Sequence, residues 1–180
     1  MSSVMRRTVV AFALAGAPAL VAAQGPAVGE TAPDVTLRIA TRDGVQDSVS
    51  LRSLAGKTVV LAFFPKARTS GCTIQMKAYR DQYQRLFGDG KDVVVIAISR
   101  DTPEELASWA RDEQFPFWFG SDVEGVAGRA FGTLAEGRQW ESRVLFVIDP
   151  SRTVRSVMRP FREVDPTAYD ELQAAVAAAR

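Results

Sequence analysis

The sequence contains no histidine and only one cysteine, Cys72, in 180 residues. Without histidine the chain lacks the usual general base and the commonest metal ligand, which excludes Ser-His-Asp catalysis, Cys-His catalysis and histidine-based zinc or iron sites. With one cysteine it can form neither an intrachain disulfide nor a CxxC redox pair. Covalent chemistry at neutral pH is therefore left to Cys72, to a lysine, or to an activated hydroxyl or carboxylate.

The chain also has no large excess of charge of either sign, because its 22 lysines and arginines nearly balance its 21 aspartates and glutamates. A balanced chain has no single-sign field to attract nucleic acid or an anionic membrane, so we expect neither as a partner. The length and the 47% apolar content suit one compact domain that follows a removable leader.

The N-terminus has the pattern of a secretory signal peptide. The basic pair Arg6-Arg7 precedes an apolar stretch over 8–21, and small residues lead to a cleavage position after Ala23. A glycine and a proline interrupt the stretch, which is shorter than the ~20 residues of a membrane span, and this favours cleavage over an uncleaved anchor. We predict a signal peptide over 1–23, a single domain over 24–180, and a periplasmic or secreted protein without stable membrane association.

Hydrophobic patterning divides the mature chain into alternating strands and helices. An Asp-Gly pair at 43–44 is a strong hairpin signal between the first two strands, and Thr102 followed by proline is typical of a helix start. Strands are predicted over 35–39, 45–51, 57–64, 92–99, 115–119, 143–149 and 153–158, and helices over 72–86, from 102, over 123–131 and from 166. The order βββαβαβαββα predicts an α/β fold in which helices flank both faces of a mixed central β-sheet.

The loop after the strand over 57–64 is where an α/β sheet would place a functional site. Pro65 ends the strand, and Cys72 enters the first turn of the next helix, where unpaired backbone N–H groups and the helix dipole stabilise a thiolate over a thiol. Taken singly, these residues leave simpler interpretations open. A lone cysteine is more often a buried apolar residue, Thr69 is suited to cap the helix, and Arg143 fits a solvated strand edge.

In combination, these residues resemble the peroxiredoxin family. Its signature Pro-x-x-x-Thr/Ser-x-x-Cys is met by Pro65, Thr69 and Cys72. The likeness is strongest to the bacterioferritin comigratory protein (peroxiredoxin Q) branch, through the runs FFPK at 63–66 and TSGCT at 69–73.

The resemblance implies a thioredoxin-like fold and a thiol peroxidase that reduces hydrogen peroxide or organic hydroperoxides. Cys72 would be the nucleophile and would become a sulfenic acid, and Thr69 would hydrogen-bond the peroxide and orient the thiolate. Pro65 would shield the site from water. Arg143, in a stretch similar to the family's Arg-x-x-F-x-I-D strand, would stabilise the thiolate and the leaving oxygen. The resemblance implies no metal and no cofactor.

One position departs from the pattern of that branch. Many members carry a resolving cysteine five residues after the first, and here that position is Lys77. The resemblance therefore implies a one-cysteine form, a monomer or a homodimer. Its sulfenic acid would be resolved by an external thiol, from a thioredoxin-like protein or a small molecule, or by Cys72 of another copy.

Two other classes of function remain open at this point. A thioredoxin-fold thiol–disulfide exchange protein would share the architecture, although the chain has no CxxC pair. A non-catalytic binding protein could have kept the fold, although Thr69 and Arg143 are both present. The presence of these two residues favours the peroxidase.

Overall fold

A seven-stranded β-sheet organises the computed structural model, which describes residues 25–88 and 90–180. The predicted signal peptide over 1–23 lies outside these residues. The strands are β1 (Thr36–Thr41), β2 (Gly44–Ser50), β3 (Thr58–Phe63), β4 (Val93–Ser99), β5 (Trp118–Ser121), β6 (Val144–Ile148) and β7 (Val154–Met158). They lie in the order β2-β1-β5-β4-β3-β6-β7, in which β4 is parallel to β3 and β5 and the other neighbours are antiparallel. The predicted mixed sheet is confirmed.

Residues 25–88 and 90–180 also form five α-helices, the last of which follows β7, and a 3₁₀ helix over Leu51–Leu54. The helices are α1 (Ser70–Asp81), α2 (Tyr83–Phe87), α3 (Pro103–Asp112), α4 (Val126–Ala130) and α5 (Pro166–Ala178). The helix start expected at Thr102 is confirmed, and there Thr102 and Glu105 form a capping box. Within the described part of the chain, none of the helices is long and apolar enough to cross a bilayer.

The sheet carries a hydrophobic core on each face, because alternate residues of its central strands point to opposite sides. Val60 and Ala62 of β3 face the larger core, which α1, α2, α3 and α5 cover. Leu61 and Phe63 face the smaller core, which packs against Ala127 of α4 and residues near the N-terminus. Helices therefore lie on both faces, as predicted, with four on one side and one on the other.

Three predicted elements differ clearly from the structure, and one of them, the helix expected over 123–131, covers only Val126–Ala130. The single helix expected over 72–86 is two helices, α1 and α2, separated at Gln82. Tyr79 and Leu86 lie on either side of this break, and both are buried at a spacing that fits one face of a single helix. The hydrophobic pattern of the sequence therefore does not reveal the break. The strand expected over 115–119 begins later, at Trp118, because Phe115 packs edge-on against Trp109 before the chain enters the sheet.

Candidate active site

The loop between β3 and α1 is fastened to the end of β4. The backbone N–H of Phe64 continues the sheet by donating to the carbonyl of Ile98 at 2.9 Å. Proline at position 65 has no N–H, so the pairing stops there. Asp101, which follows β4 and is buried, then accepts a hydrogen bond from the N–H of Ala67 at 2.7 Å and lies 3.4 Å from Nζ of Lys66. The loop therefore enters α1 from a fixed position.

Thr69 precedes α1 in an extended conformation and leaves the start of the helix open. Its hydroxyl donates a hydrogen bond to the carbonyl of Lys66 at 2.9 Å and does not cap the helix, so the interpretation of its side chain as a helix cap is wrong. The first intrahelical bond joins the N–H of Thr73 to the carbonyl of Thr69. The N–H groups of residues 70–72 have no acceptor within the helix, which gives this turn a positive end.

Cys72 is the third residue of α1, and Arg143 approaches it from a different strand. Because β6 runs antiparallel to β3 with Val144 opposite Phe63, the residue before β6 lies beside the end of β3. Nη2 of Arg143 is 3.5 Å from Sγ of Cys72. The cysteine is 1% exposed, as an inert core residue would be. Cys72 differs from an inert core cysteine because the guanidinium of Arg143 lies against its sulfur. A positive charge at that distance stabilises a thiolate.

Each nitrogen of the Arg143 guanidinium has its own partner. Nη1 donates to the side-chain carbonyl of Gln75, and Nε lies 3.2 Å from a carboxylate oxygen of Glu163. The amide nitrogen of Gln75 donates in turn to the hydroxyl of Tyr79 at 2.8 Å. Only 13% of the Arg143 side chain is exposed, so these bonds lie in surroundings of low dielectric, where they strongly constrain the guanidinium.

Two tyrosines behind the site are held in their neutral form. Burial raises the pKa of Tyr79 far above its ordinary range, although the hydrogen bond from Gln75 opposes the rise. Burial, followed by the charge of Glu163, raises the pKa of Tyr169 to about 12. Neither phenol can therefore act as a base at neutral pH.

Three of the four predicted site residues lie on one loop and helix start, and the fourth meets them there. Pro65, Thr69 and Cys72 follow one another, and Arg143 contacts the sulfur as expected. Sequence reasoning assigned no role to Gln75 or Glu163. Gln75 carried a usable signal, since residues three apart share one face of a helix.

No metal-binding cluster of three or more Cys, His, Asp or Glu side chains occurs in residues 25–88 and 90–180. The group that contacts the sulfur is the guanidinium of Arg143, a charged hydrogen-bond donor, at the helix start whose first N–H groups have no acceptor within the helix. Such an arrangement suits an anionic sulfur and an oxygen that gains negative charge during reaction.

Comparisons with known proteins agree with this geometry. The family model of the AhpC/TSA family matches residues 28–157. Peroxiredoxin Bcp of Escherichia coli is 34% identical over 140 residues, which cover 74% of this chain and 86% of that protein. The chloroplastic peroxiredoxin Q of Gentiana triflora is 34% identical over 150 residues, covering 77% of this chain and 64% of that one. The crystal structure of peroxidoxin BcpB from Mycobacterium tuberculosis superposes with a TM-score of 0.71 at 27% identity, covering 85% of this chain and 97% of that one.

Proposed function

This chain belongs to the AhpC/TSA family and is a peroxiredoxin-type thiol peroxidase, and on that premise we propose that Cys72 is the residue that attacks the peroxide. The observation that carries the proposal is the contact of 3.5 Å between Nη2 of Arg143 and Sγ of Cys72 at the open start of α1. It supplies the positive charge that a thiolate nucleophile requires in a chain without histidine.

In the proposed reaction, the thiolate of Cys72 attacks one oxygen of the peroxide. An S–O bond forms while the O–O bond breaks, so that the sulfur is oxidised to a sulfenic acid. The second oxygen leaves with the electron pair of the O–O bond and takes a proton, which gives water from hydrogen peroxide or an alcohol from an organic hydroperoxide. Arg143 stabilises both the initial thiolate and the negative charge that develops on the leaving oxygen.

Thr69 and Pro65 have supporting roles in this proposal. The hydroxyl of Thr69 gives its hydrogen to the carbonyl of Lys66, so its oxygen keeps lone pairs that can accept a hydrogen bond from the peroxide O–H. Pro65 contributes no N–H and places an apolar ring at the start of the loop, where it shields the thiolate from water.

The sulfenic acid is resolved from outside the chain in this proposal. Position 77 is a lysine, whose Nζ lies 3.1 Å from a carboxylate oxygen of Glu113, and the sequence has no second cysteine. One external thiol would condense with the sulfenic acid to a mixed disulfide and release water, and a second would reduce that disulfide and regenerate Cys72. A thioredoxin-like protein or a small thiol can supply both, and the enzyme would act as a monomer or a homodimer.

The test is to treat the reduced mature protein with one equivalent of hydrogen peroxide, trap sulfenic acid with a specific reagent, and measure the intact mass. We expect one label at Cys72, and no label in Cys72→Ser, which keeps nearly the same side-chain volume. Fast exchange with a disulfide substrate without any reaction with peroxide would instead indicate a thiol–disulfide exchange protein. Inertness toward both reagents would indicate a binding protein.

Export is proposed from the pattern of residues 1–23 alone, and it places the enzyme in the periplasm or outside the cell. When the full-length chain is produced in a Gram-negative bacterium, we expect the mature form in the periplasmic fraction or the medium. N-terminal sequencing should then give a start at about residue 24. Recovery of the uncleaved chain from the cytoplasm would contradict the proposal.

A further inference from the structure

Glu163 is paired with the arginine that faces the reactive sulfur, although nothing in the peroxiredoxin signature asks for it. Its Oε2 lies 3.2 Å from Nε of Arg143, and 24% of its side chain is exposed. The segment that carries it, between β7 and α5, is itself fixed. The N–H of Phe161 donates to the carbonyl of Arg143 at 3.0 Å, and the hydroxyl of Tyr169 donates to the carbonyl of Glu163 at 2.7 Å.

The carboxylate of Glu163 also lies against the first turn of α1. A Cβ placed on Gly71 would come within 2.7 Å of Oε1 of Glu163 and 3.2 Å of Nη2 of Arg143. Glycine at position 71 is therefore what allows both side chains to approach the helix start, one residue before Cys72. Glu163 thus reaches the immediate surroundings of the sulfur.

The geometry around the guanidinium shows what this pair does. Nε lies 3.2 Å from Oε2 of Glu163, so the attraction between the two charges holds that edge of the guanidinium against the carboxylate. The bond from Nη1 to Gln75 holds a second edge. With both constraints in place, Nη2 is the nitrogen that remains for Cys72. Gln75 alone would leave the guanidinium able to pivot about one hydrogen bond.

We propose that Glu163 is a positioning residue for the peroxidase reaction, which holds Arg143 in the orientation that serves the sulfur and the peroxide. This inference rests on the proposed function of Cys72. The carboxylate has a second, opposing effect, because its negative charge offsets part of the positive charge of Arg143 and so disfavours the thiolate. A neutral amide oxygen at position 163 would still offer Nε of Arg143 an acceptor, whereas the offset depends on charge, so the two effects can be separated.

The experiment compares Glu163→Ala, which removes acceptor and charge, with Glu163→Gln, which keeps an acceptor and removes the charge. Glu171→Ala is the matched control, because Glu171 also pairs with an arginine, at 3.2 Å from Nη2 of Arg162, but on an exposed face of α5. Two quantities are measured for each protein. One is the rate constant for oxidation by hydrogen peroxide in a single turnover, and the other is the ultraviolet absorbance of the thiolate at mildly acidic pH, with Cys72→Ser subtracted.

We expect Glu163→Ala to react with peroxide about tenfold more slowly, as a misdirected charged donor does, and to show less thiolate absorbance than Glu163→Gln, because its guanidinium no longer faces the sulfur. Glu163→Gln should show more thiolate absorbance than the natural protein, because the offsetting charge is gone, and keep a rate within about threefold of it, because the amide oxygen can still hold Arg143. Glu171→Ala should change neither quantity. A loss of structure alone would not raise the thiolate absorbance of Glu163→Gln while leaving its rate nearly unchanged.

Three results would overturn the positioning role. They are a rate in Glu163→Ala equal to that of the natural protein, a rate in Glu163→Gln as low as in Glu163→Ala, or a thiolate absorbance in Glu163→Ala as high as in Glu163→Gln. A different result would contradict the proposed function, namely that peroxide leaves Cys72 of the natural protein unoxidised.

Discussion

Replacing Arg143 with alanine is expected to slow the reaction of Cys72 with hydrogen peroxide by about 10²- to 10³-fold, the loss typical when one preorganised donor is removed from a developing negative charge. Nη2 of Arg143 lies 3.5 Å from the sulfur, so the variant loses stabilisation of the thiolate before the reaction and of the leaving oxygen during it. The measurement is the single-turnover rate constant with peroxide, followed by trapping of the sulfenic acid.

Two further variants separate this effect from charge and from folding. Arg143→Lys keeps a positive charge but cannot contact Gln75, Glu163 and the sulfur at once, so we expect a rate between those of the natural protein and of Arg143→Ala. Arg155→Ala removes an arginine that pairs with Asp149 at 2.7 Å on the exposed side of β7, and its rate should be unchanged. If folded Arg143→Ala reacted with peroxide as fast as the natural protein, the sulfur would react without help from the guanidinium.

The contact between Arg143 and Cys72 shows how far sequence reasoning reaches. Hydrophobic patterning predicted that Arg143 begins a buried strand and that Cys72 begins a helix. It did not say that this strand lies next to β3, because sheet order depends on long-range pairing that no local pattern records. The resemblance to a family supplied that missing step, and the antiparallel register of β3 and β6 explains it physically.

Glu163 illustrates what the sequence could not show. It lies in a polar run, Arg162-Glu163-Val164-Asp165, between a strand and a helix, and its composition is that of an ordinary solvated loop. Nothing local distinguishes Glu163 from Glu171, which is exposed on α5. The difference arises because the loop folds back over α1, where Gly71 leaves room for a carboxylate. Only the assembled fold brings these segments together.

Glu141 is a second case, and it leads to the largest effect on stability that we expect. It precedes Ser142 and Arg143, in a stretch that looks like a polar loop, yet the residue is only 2% exposed and neither carboxylate oxygen accepts a hydrogen bond within the described chain. Its neighbour Asp122 is also buried and accepts hydrogen bonds from two N–H groups of α4 at 2.7 and 3.0 Å. Two buried carboxylates cannot both remain charged at little cost, so one must hold a proton.

That proton belongs to Glu141. Burial, and then the hydrogen bond and charge of Asp122, raise the pKa of Glu141 to about 10, although the positive charge of Arg100 opposes the rise. A protonated Glu141 has an O–H that can donate to the carboxylate of Asp122, which a charged Glu141 lacks. Glutamine has nearly the same shape and carries an N–H donor at every pH, so Glu141→Gln preserves the contact without needing a proton.

Glu141→Gln is therefore expected to increase the free energy of unfolding at pH 7 by about 2–3 kcal/mol. Between the ordinary glutamate pKa of 4.5 and about 10, the folded natural protein retains a proton that the unfolded chain has released. Its stability consequently falls as pH rises through this window, by at most about 1.4 kcal/mol per pH unit, and the variant does not undergo that loss.

The measurement is urea unfolding at several pH values. The free energies of unfolding of Glu141→Gln and of the natural protein should coincide near pH ~4 and diverge above it. The control is Glu136→Gln, at an exposed position, which should follow the natural protein throughout. If the free energies of unfolding of the two proteins differ by a constant amount across this range, Glu141 is already ionised in the folded state. Another group must then compensate for the burial of two charges beside the segment that leads to Arg143.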